Sequence, residues 1–134
     1  MFENSAIAIF ELSANLKTVD AVKKLEIKLE NDKIDNLLYD FLSEILFLKD
    51  SKYMVFKKVK VNIVENRTHE NQRFSGPRKS KGFSREYELK AILEGDAINP
   101  EKQQLENDIK AVTMHMFKVK KEKNNWKATV VVDI

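Results

Sequence analysis

The chain has 134 residues and a formal net charge of +3, from 24 lysines and arginines against 21 aspartates and glutamates, and it contains no cysteine. This length favours one domain that buries its own core, and the lack of cysteine excludes disulfides, thiolate metal sites and cysteine nucleophiles. No apolar run approaches the roughly 20 residues of a membrane span. The N-terminus does not have the pattern of a secretory signal, so we expect a soluble cytoplasmic protein.

Two amphipathic helices with a strand between them are predicted in the first part of the chain. Phe2–Leu16 carries apolar residues at three- and four-residue steps, which indicates a helix. In Lys24–Glu30, apolar residues alternate with charged ones, as in a half-buried strand. Asn31 or Asp32 is then expected to cap a second helix, whose broad apolar face extends over Ile34–Leu48.

The remainder of the chain predicts strands. Val55–Val64 alternates, and Tyr87–Ile98 is strand-like but contains Gly95, which predicts a bulge or bend. Between these strands, residues 66–86 are polar and basic, and we predict a long mobile loop or a hairpin insertion. Residues 113–134 predict a β-hairpin that turns at adjacent asparagines.

This order of elements predicts an α+β fold. Short connections between strands favour antiparallel pairing, and amphipathic helices need an apolar surface to cover. We therefore predict a single domain over residues 1–134, with two layers: a mostly antiparallel sheet packed by two amphipathic helices. Trp126 is expected to be part of the core, where truncation of its side chain would cost about 3–5 kcal/mol.

Few residues offer catalytic chemistry. His69 falls in the polar segment and His115 in a predicted strand, so solvated and half-buried structural roles are the simpler interpretations. The sequence has no P-loop, nucleophile elbow, zinc-helix motif or EF-hand loop. Asp133 is either an exposed residue at a strand end or an oxygen ligand of a hard cation, aided by a backbone carbonyl or by the C-terminal carboxylate of Ile134. By composition, Lys110 is one solvated lysine among many.

The 66–86 segment supports a nucleic-acid interpretation. Basic side chains can neutralise phosphates, and aromatic rings can stack on unpaired bases. The segment contains both kinds: Arg67, Arg73, Arg78, Lys79, Lys81 and Arg85, interleaved with Phe74 and Phe83. A flexible, solvated insertion is the alternative interpretation. The first interpretation predicts salt-dependent binding to tRNA by the chain alone.

Four segments resemble the archease family, and together they extend over nearly the whole chain. Residues 109–115, IKAVTMH, are similar to the family signature K-A-V-T-Y-H, and residues 130–134, VVVDI, are similar to the family's ending. Residues 2–12 resemble its first helix, with A-F-E-N-A and L-F-E-L patterns. Residues 37–46, LLYDFLSEIL, resemble its L-L-Y-x-W-L-x-E-L-L helix.

The resemblance implies an accessory protein without catalytic activity of its own. Archeases assist the RNA ligase that joins tRNA exon halves with GTP and a divalent metal, by promoting its guanylylation and its repeated turnover. By matching position, Lys110 is implied to act in ligase activation, and His115 is the signature histidine. Asp133 and Ile134 are implied to bind a divalent metal such as calcium. Contact with tRNA or GTP would be indirect, and no membrane is involved.

The chain departs from the family pattern at two places. The family has a strand with a metal-binding aspartate before the first helix, whereas Met1 here already stands at the start of that helix. After Pro100, Gln103 and Gln104 occupy the place of a family histidine. The resemblance therefore implies a metal site that lacks one of its usual ligands. A stand-alone metallohydrolase is the least favoured alternative, because it needs two further ligands.

Overall fold

The computed structural model describes residues 1–69, 83–123 and 125–133, with the side chains of all of these except residues 67–69, 83–85 and 114–116. Its elements are α1 (Phe2–Ser13), a 3-10 turn (Leu16–Thr18), β1 (Lys23–Asn31), α2 (Ile34–Lys52), β2 (Met54–His69), β3 (Phe83–Ala97), β4 (Ala111–Glu122) and β5 (Asn125–Asp133). The predicted α+β class is confirmed.

The strands form two antiparallel sheets. One has three strands in the order β1-β3-β2, and the other is the β4–β5 hairpin. The hairpin pairs Ala111 with Asp133 at its open end and Glu122 with Asn125 at its turn. At that turn Lys123 adopts a positive φ of 28°, so the predicted hairpin is confirmed. Among the described residues, no helix is long and apolar enough to cross a membrane.

Both helices pack between these two sheets. On one side, the ring of Phe10 in α1 lies 5.7 Å from that of Phe56 in β2. On the other, Tyr39 in α2 meets Phe117 in β4 edge-to-face at 5.8 Å between ring centroids. The helix apolar faces therefore supply the centre of the core. Its fully buried side chains include Leu37, Leu38, Phe41, Leu42 and Ile45 of α2, with Leu89, Leu93 and Ile109 around them.

Two predicted helix boundaries need correction. Helix α1 ends at Ser13, and the side chain of Asn15 accepts a hydrogen bond from the backbone N–H of Lys17, which starts the 3-10 turn. Helix α2 begins after Lys33, which gives no side-chain cap. Asn31 instead accepts from the Lys33 N–H and donates to Asp40 in the helix. Neither Asn31 nor Asp32 is therefore the N-cap.

The predicted 66–86 loop is shorter than expected. Residues 66–69 and 83–86 continue β2 and β3, with pairs from Asn66–Glu86 to His69–Phe83. A polar sequence does not prevent strand pairing when neither face needs to be buried, because the backbone hydrogen bonds form regardless of the side chains. Of the two predicted alternatives, a loop or a hairpin insertion, residues 66–69 and 83–86 agree with the hairpin. Residues 70–82 lie outside the described residues.

The irregularity predicted at Gly95 lies on the neighbouring strand. Phe56 pairs with Gly95, but the next paired residue on β2 is Lys58, so Lys57 is an extra residue. A Cβ atom at position 95 would lie 2.0 Å from the carbonyl oxygen of Val55. The glycine is needed because the bulged β2 backbone passes too close for any side chain.

Gly95→Ala should lower the free energy of unfolding by about 3 kcal/mol, because either β2 or β3 must move to relieve the overlap. Urea unfolding measures this loss. Asn62→Ala, at an exposed position of β2, is the control and should change stability by less than about 0.5 kcal/mol. A loss equal to the control's would show that β2 can shift at no cost.

Trp126 is not the core residue that the sequence predicts. It is 47% exposed, and Lys121 Nζ lies 5.8 Å from the centre of its ring. It borders a groove of about 670 Å³ together with Ile63 and Tyr87. The alternation along β5 is as predicted, because Val130, on the same face, packs against the core. The strand end that carries the tryptophan lies at the border of that core.

Trp126→Ala should therefore lower the free energy of unfolding by about 1 kcal/mol, since only part of the ring is buried. Phe41→Ala, at a fully buried aromatic position, should cost about 3–5 kcal/mol. Thermal or urea unfolding of both variants makes the comparison. Equal losses would contradict the partial burial of Trp126.

Candidate functional site around Lys110 and Asp133

The open end of the β4–β5 hairpin brings Lys110 beside Asp133. The backbone N–H of Lys110 donates to the carbonyl oxygen of Asp133 at 2.7 Å, and Ala111 is the strand partner of Asp133. Both predicted site residues are exposed. An antiparallel hairpin places the start of its first strand next to the end of its second, which explains why residues 23 positions apart in sequence become neighbours.

Two buried residues hold this end of the hairpin against the core. Ile109 is fully buried and Val112 is nearly so, and they flank Lys110 and Ala111, which face solvent. Burial of each aliphatic side chain stabilises the attachment by about 1.5–3 kcal/mol. The Lys110 side chain thus extends from a backbone that is fixed on both sides.

A buried lysine connects α2 to the chain just before Lys110. Lys49, in the last turn of α2, is 8% exposed. Its Nζ donates to Asp50 and to Asp108, each at 3.1 Å. Burial lowers the pKa of Lys49, but the hydrogen bonds that its ammonium donates to Asp108 and Asp50 outweigh this effect, and the net pKa is raised above 10.5. The ammonium therefore stays charged and holds Asp108 against the helix.

Helical spacing could have identified Lys49. It follows Leu42 by seven residues and Ile45 by four, and both of these are buried, so it lies on the apolar stripe of α2. A lysine on such a stripe needs a carboxylate partner. The partner Asp108 lies in a connecting segment, however, and helical periodicity says nothing about what that segment contacts.

The segment before β4 is hydrogen-bonded to the end of α1. The backbone N–H groups of Glu106 and Asn107 donate to the carbonyls of Ser13 and Leu12, at 2.9 and 3.0 Å. Gln103, 4% exposed, donates its side-chain amide to the carbonyl of Ala97 at 2.9 Å. Gln103 thus has a structural role at the place where the family pattern has a histidine.

Asp133 is not surrounded by further metal ligands in the described part of the chain. Across residues 1–69, 83–123 and 125–133, no three His, Cys, Asp or Glu side chains are grouped so that they could hold a metal ion. Ile134, the second predicted ligand, lies outside the described residues. His115 belongs to β4 and His69 to β2, but their side chains are also outside the described part.

The whole chain, residues 1–134, matches the model of the Archease protein family (MTH1598/TM1083). The chain belongs to the archease family. Protein archease of Methanosarcina mazei is 34% identical over 134 residues, which cover all of this chain and 81% of that protein. Protein archease of Thermococcus kodakarensis is also 34% identical, and the match covers 99% of this chain and 82% of that protein.

The fold agrees with this assignment. The solution structure of protein 1598 of Methanobacterium thermoautotrophicum superimposes with a TM-score of 0.72 at 27% sequence identity, over 99% of this chain and 82% of that one. The family resemblance that the four sequence segments predict is therefore confirmed over the full length.

Removing the two partners of Lys49 should destabilise the protein more than removing Lys49 itself. Asp50 and Asp108 have side-chain exposures of 62% and 74%, so water can solvate them without the lysine. Lys49→Met should therefore change the free energy of unfolding by less than about 1 kcal/mol. Asp50→Ala with Asp108→Ala leaves a buried, unpaired ammonium and should cost about 2–3 kcal/mol.

Adding Lys49→Met to that double variant should restore most of the loss, because the uncompensated charge is then gone. Urea unfolding of the four proteins tests this.

Because the pKa of Lys49 is raised, its ion pairs stabilise the fold fully below pH 10.5 and are lost as pH rises through the folded pKa. The stability difference between wild type and Lys49→Met should therefore stay constant around neutral pH and change as the pH becomes alkaline. A change near neutral pH would contradict the assignment.

Proposed function

We propose that this chain is an accessory protein that activates the tRNA-splicing RNA ligase, by promoting guanylylation of the ligase and its multiple turnover in exon ligation. Membership of the archease family supports the proposal. The observation that carries it is the hydrogen bond that joins Lys110 to Asp133. It makes one exposed surface of Lys110, which the family resemblance connects with activation, and Asp133, which the resemblance implies to be a metal ligand. We place the activity in the cytoplasm.

The proposed chemistry is electrostatic. The Lys110 ammonium can approach a phosphate oxygen of GTP or of the guanylate on the ligase, where a charged donor stabilises developing negative charge. Asp133 can accept hydrogen bonds from basic or polar ligase side chains, which would orient the two proteins. The chemical step belongs to the ligase, and this chain contributes no nucleophile. His115 is proposed to act with Lys110 as the signature histidine.

The described residues do not make a divalent-metal site by themselves. Calcium takes six to eight oxygen ligands, and here Asp133 has no group of acidic or histidine side chains around it among the described ones. A site at Asp133 would need oxygens from Ile134, water and the ligase, so we derive no step of activation through a metal. Calcium titration of wild type and Asp133→Asn, followed by calorimetry, tests the predicted ligand.

Asp133→Ala and Lys110→Ala should each reduce ligation by limiting ligase on the order of 10-fold or more, toward the level without the chain. The reason is that each variant removes a charge from the proposed contact surface while the backbone hydrogen bond remains. The assay contains cognate ligase, GTP and cleaved tRNA, and counts product per ligase. Exposed Asp32→Ala and Lys23→Ala are the matched controls.

Full activation by folded Asp133→Ala and Lys110→Ala would remove both residues from the proposal. No activation by wild type, together with salt-dependent tRNA binding in the absence of ligase, would instead favour the RNA-binding module based on residues 66–86. That prediction stays open, because most of the segment lies outside the described residues.

A further inference from the structure

A pocket of about 490 Å³ opens beside the chain segment that leads to Lys110. It lies between the C-terminal end of α2, the end of β3 and residues 105–108. Asp108 is part of its wall, and the chain then continues through buried Ile109 to Lys110. A group bound in this pocket would therefore sit beside the Lys110 and Asp133 surface.

The pocket has an exposed apolar lining. Tyr53 is 73% exposed, and Ile98 and Leu105 are each 37% exposed, although all three border the same cavity. Contiguous exposed apolar side chains on a soluble domain commonly mark an interaction site. A single exposed leucine would need no such explanation.

Tyr53 has an unusual backbone for its residue type. It ends α2 in the left-handed region, with φ 53° and ψ 54°, where glycine or asparagine is usual because a Cβ atom is costly there. Two hydrogen bonds hold it: its N–H donates to the carbonyl of Lys49, and its carbonyl accepts from Ile98. The fold thus keeps an aromatic ring in solvent at a position that asparagine would fill with less strain.

The rim of the pocket is negatively charged. The lining of the pocket carries three carboxylates, those of Asp50, Glu106 and Asp108, and one ammonium, that of Lys49, so its net charge is −2 in a chain whose net charge is +3. Lys49 is bound to one oxygen of Asp50 and one of Asp108, so both carboxylates keep acceptor capacity toward solvent. An aromatic face beside carboxylates is the environment that an arginine guanidinium prefers.

The walls of the pocket are fixed before any partner arrives. Glu106 and Asn107 are hydrogen-bonded to the end of α1, and Asp108 is held by Lys49 at 3.1 Å. A preformed pocket loses little conformational entropy on binding, so more of the contact energy contributes to affinity.

We propose that this pocket docks an arginine side chain of the RNA ligase; the inference rests on the proposed function. The negative rim repels RNA phosphates and attracts cations. An enzyme that binds tRNA must present lysine and arginine side chains, which makes the ligase the partner of matching charge. The pocket determines affinity for the ligase, whereas Lys110 and Asp133 act on the activation step.

The test compares Tyr53→Asn and Glu106→Lys with a matched charge control. Asparagine tolerates the left-handed backbone, and Glu106 takes part in none of the ion pairs between described residues. Glu30→Lys, at an exposed position of β1, makes the same charge change on another surface. The dissociation constant for purified ligase is measured by interferometry at low and high salt, and unfolding curves verify that each variant folds.

Tyr53→Asn and Glu106→Lys should each weaken ligase binding about tenfold, and Glu106→Lys should reduce the salt dependence. Glu30→Lys should bind within about twofold of wild type. At saturating concentration both pocket variants should still activate the ligase, whereas Lys110→Ala should not.

Unchanged ligase affinity in both pocket variants, with Lys110→Ala inactive, would overturn the pocket and leave the proposed function in place. Failure of wild type to bind or activate the ligase would overturn both. The pocket variants could instead leave ligase affinity unchanged and alter either self-association, measured by sedimentation, or tRNA binding without ligase. The pocket would then bind a second copy of the chain or RNA, and the proposed arginine would be wrong.

Discussion

The burial of α2 on two opposite sides is the interaction on which the other parts of the structure depend. Its apolar face supplies five fully buried side chains: Leu37, Leu38, Phe41, Leu42 and Ile45. One side of the helix meets the three-stranded sheet, and Tyr39 meets Phe117 of the hairpin on the other. Each buried aliphatic or aromatic side chain contributes about 1.5–3 kcal/mol. Because the hairpin forms a sheet of its own among the described strands, its position, and with it that of Lys110 and Asp133, depends on its packing against α2.

At the C-terminal end of α2, the charged Lys49 occupies a position on the buried face of the helix, where the preceding buried side chains are apolar. A polar segment passes there, and the Lys49 ammonium finds Asp50 and Asp108. The desolvation of the lysine offsets much of the attraction. Its main effect is therefore on geometry: it sets the position of residue 108, two residues before Lys110.

The parts of the fold that depend on repeated local patterns could be predicted from the sequence. Alternation located β1 and the β4–β5 hairpin, and helical spacing located α2. The parts that depend on distant contacts could not. The bulge was predicted on the wrong strand, because Gly95 marks the close approach whereas the extra residue is Lys57 of β2. Trp126 has the right alternation for a core residue, but only the packing of the helices decides where along β5 the core ends.

Within the proposed role, the pocket and the Lys110 ammonium have complementary uses because they differ in the sign of their charge. The pocket at Tyr53 is negative and Lys110 is positive, and Asp108 in the pocket wall is two residues before Lys110. A partner that offers an arginine next to a guanylate phosphate satisfies both in one orientation, while a reversed partner places like charges together. Opposed charges of this kind select orientation and partner more than they add affinity. The segment from Asp108 to Lys110 therefore needs a fixed backbone, which the Lys49 ion pair and the burial of Ile109 provide.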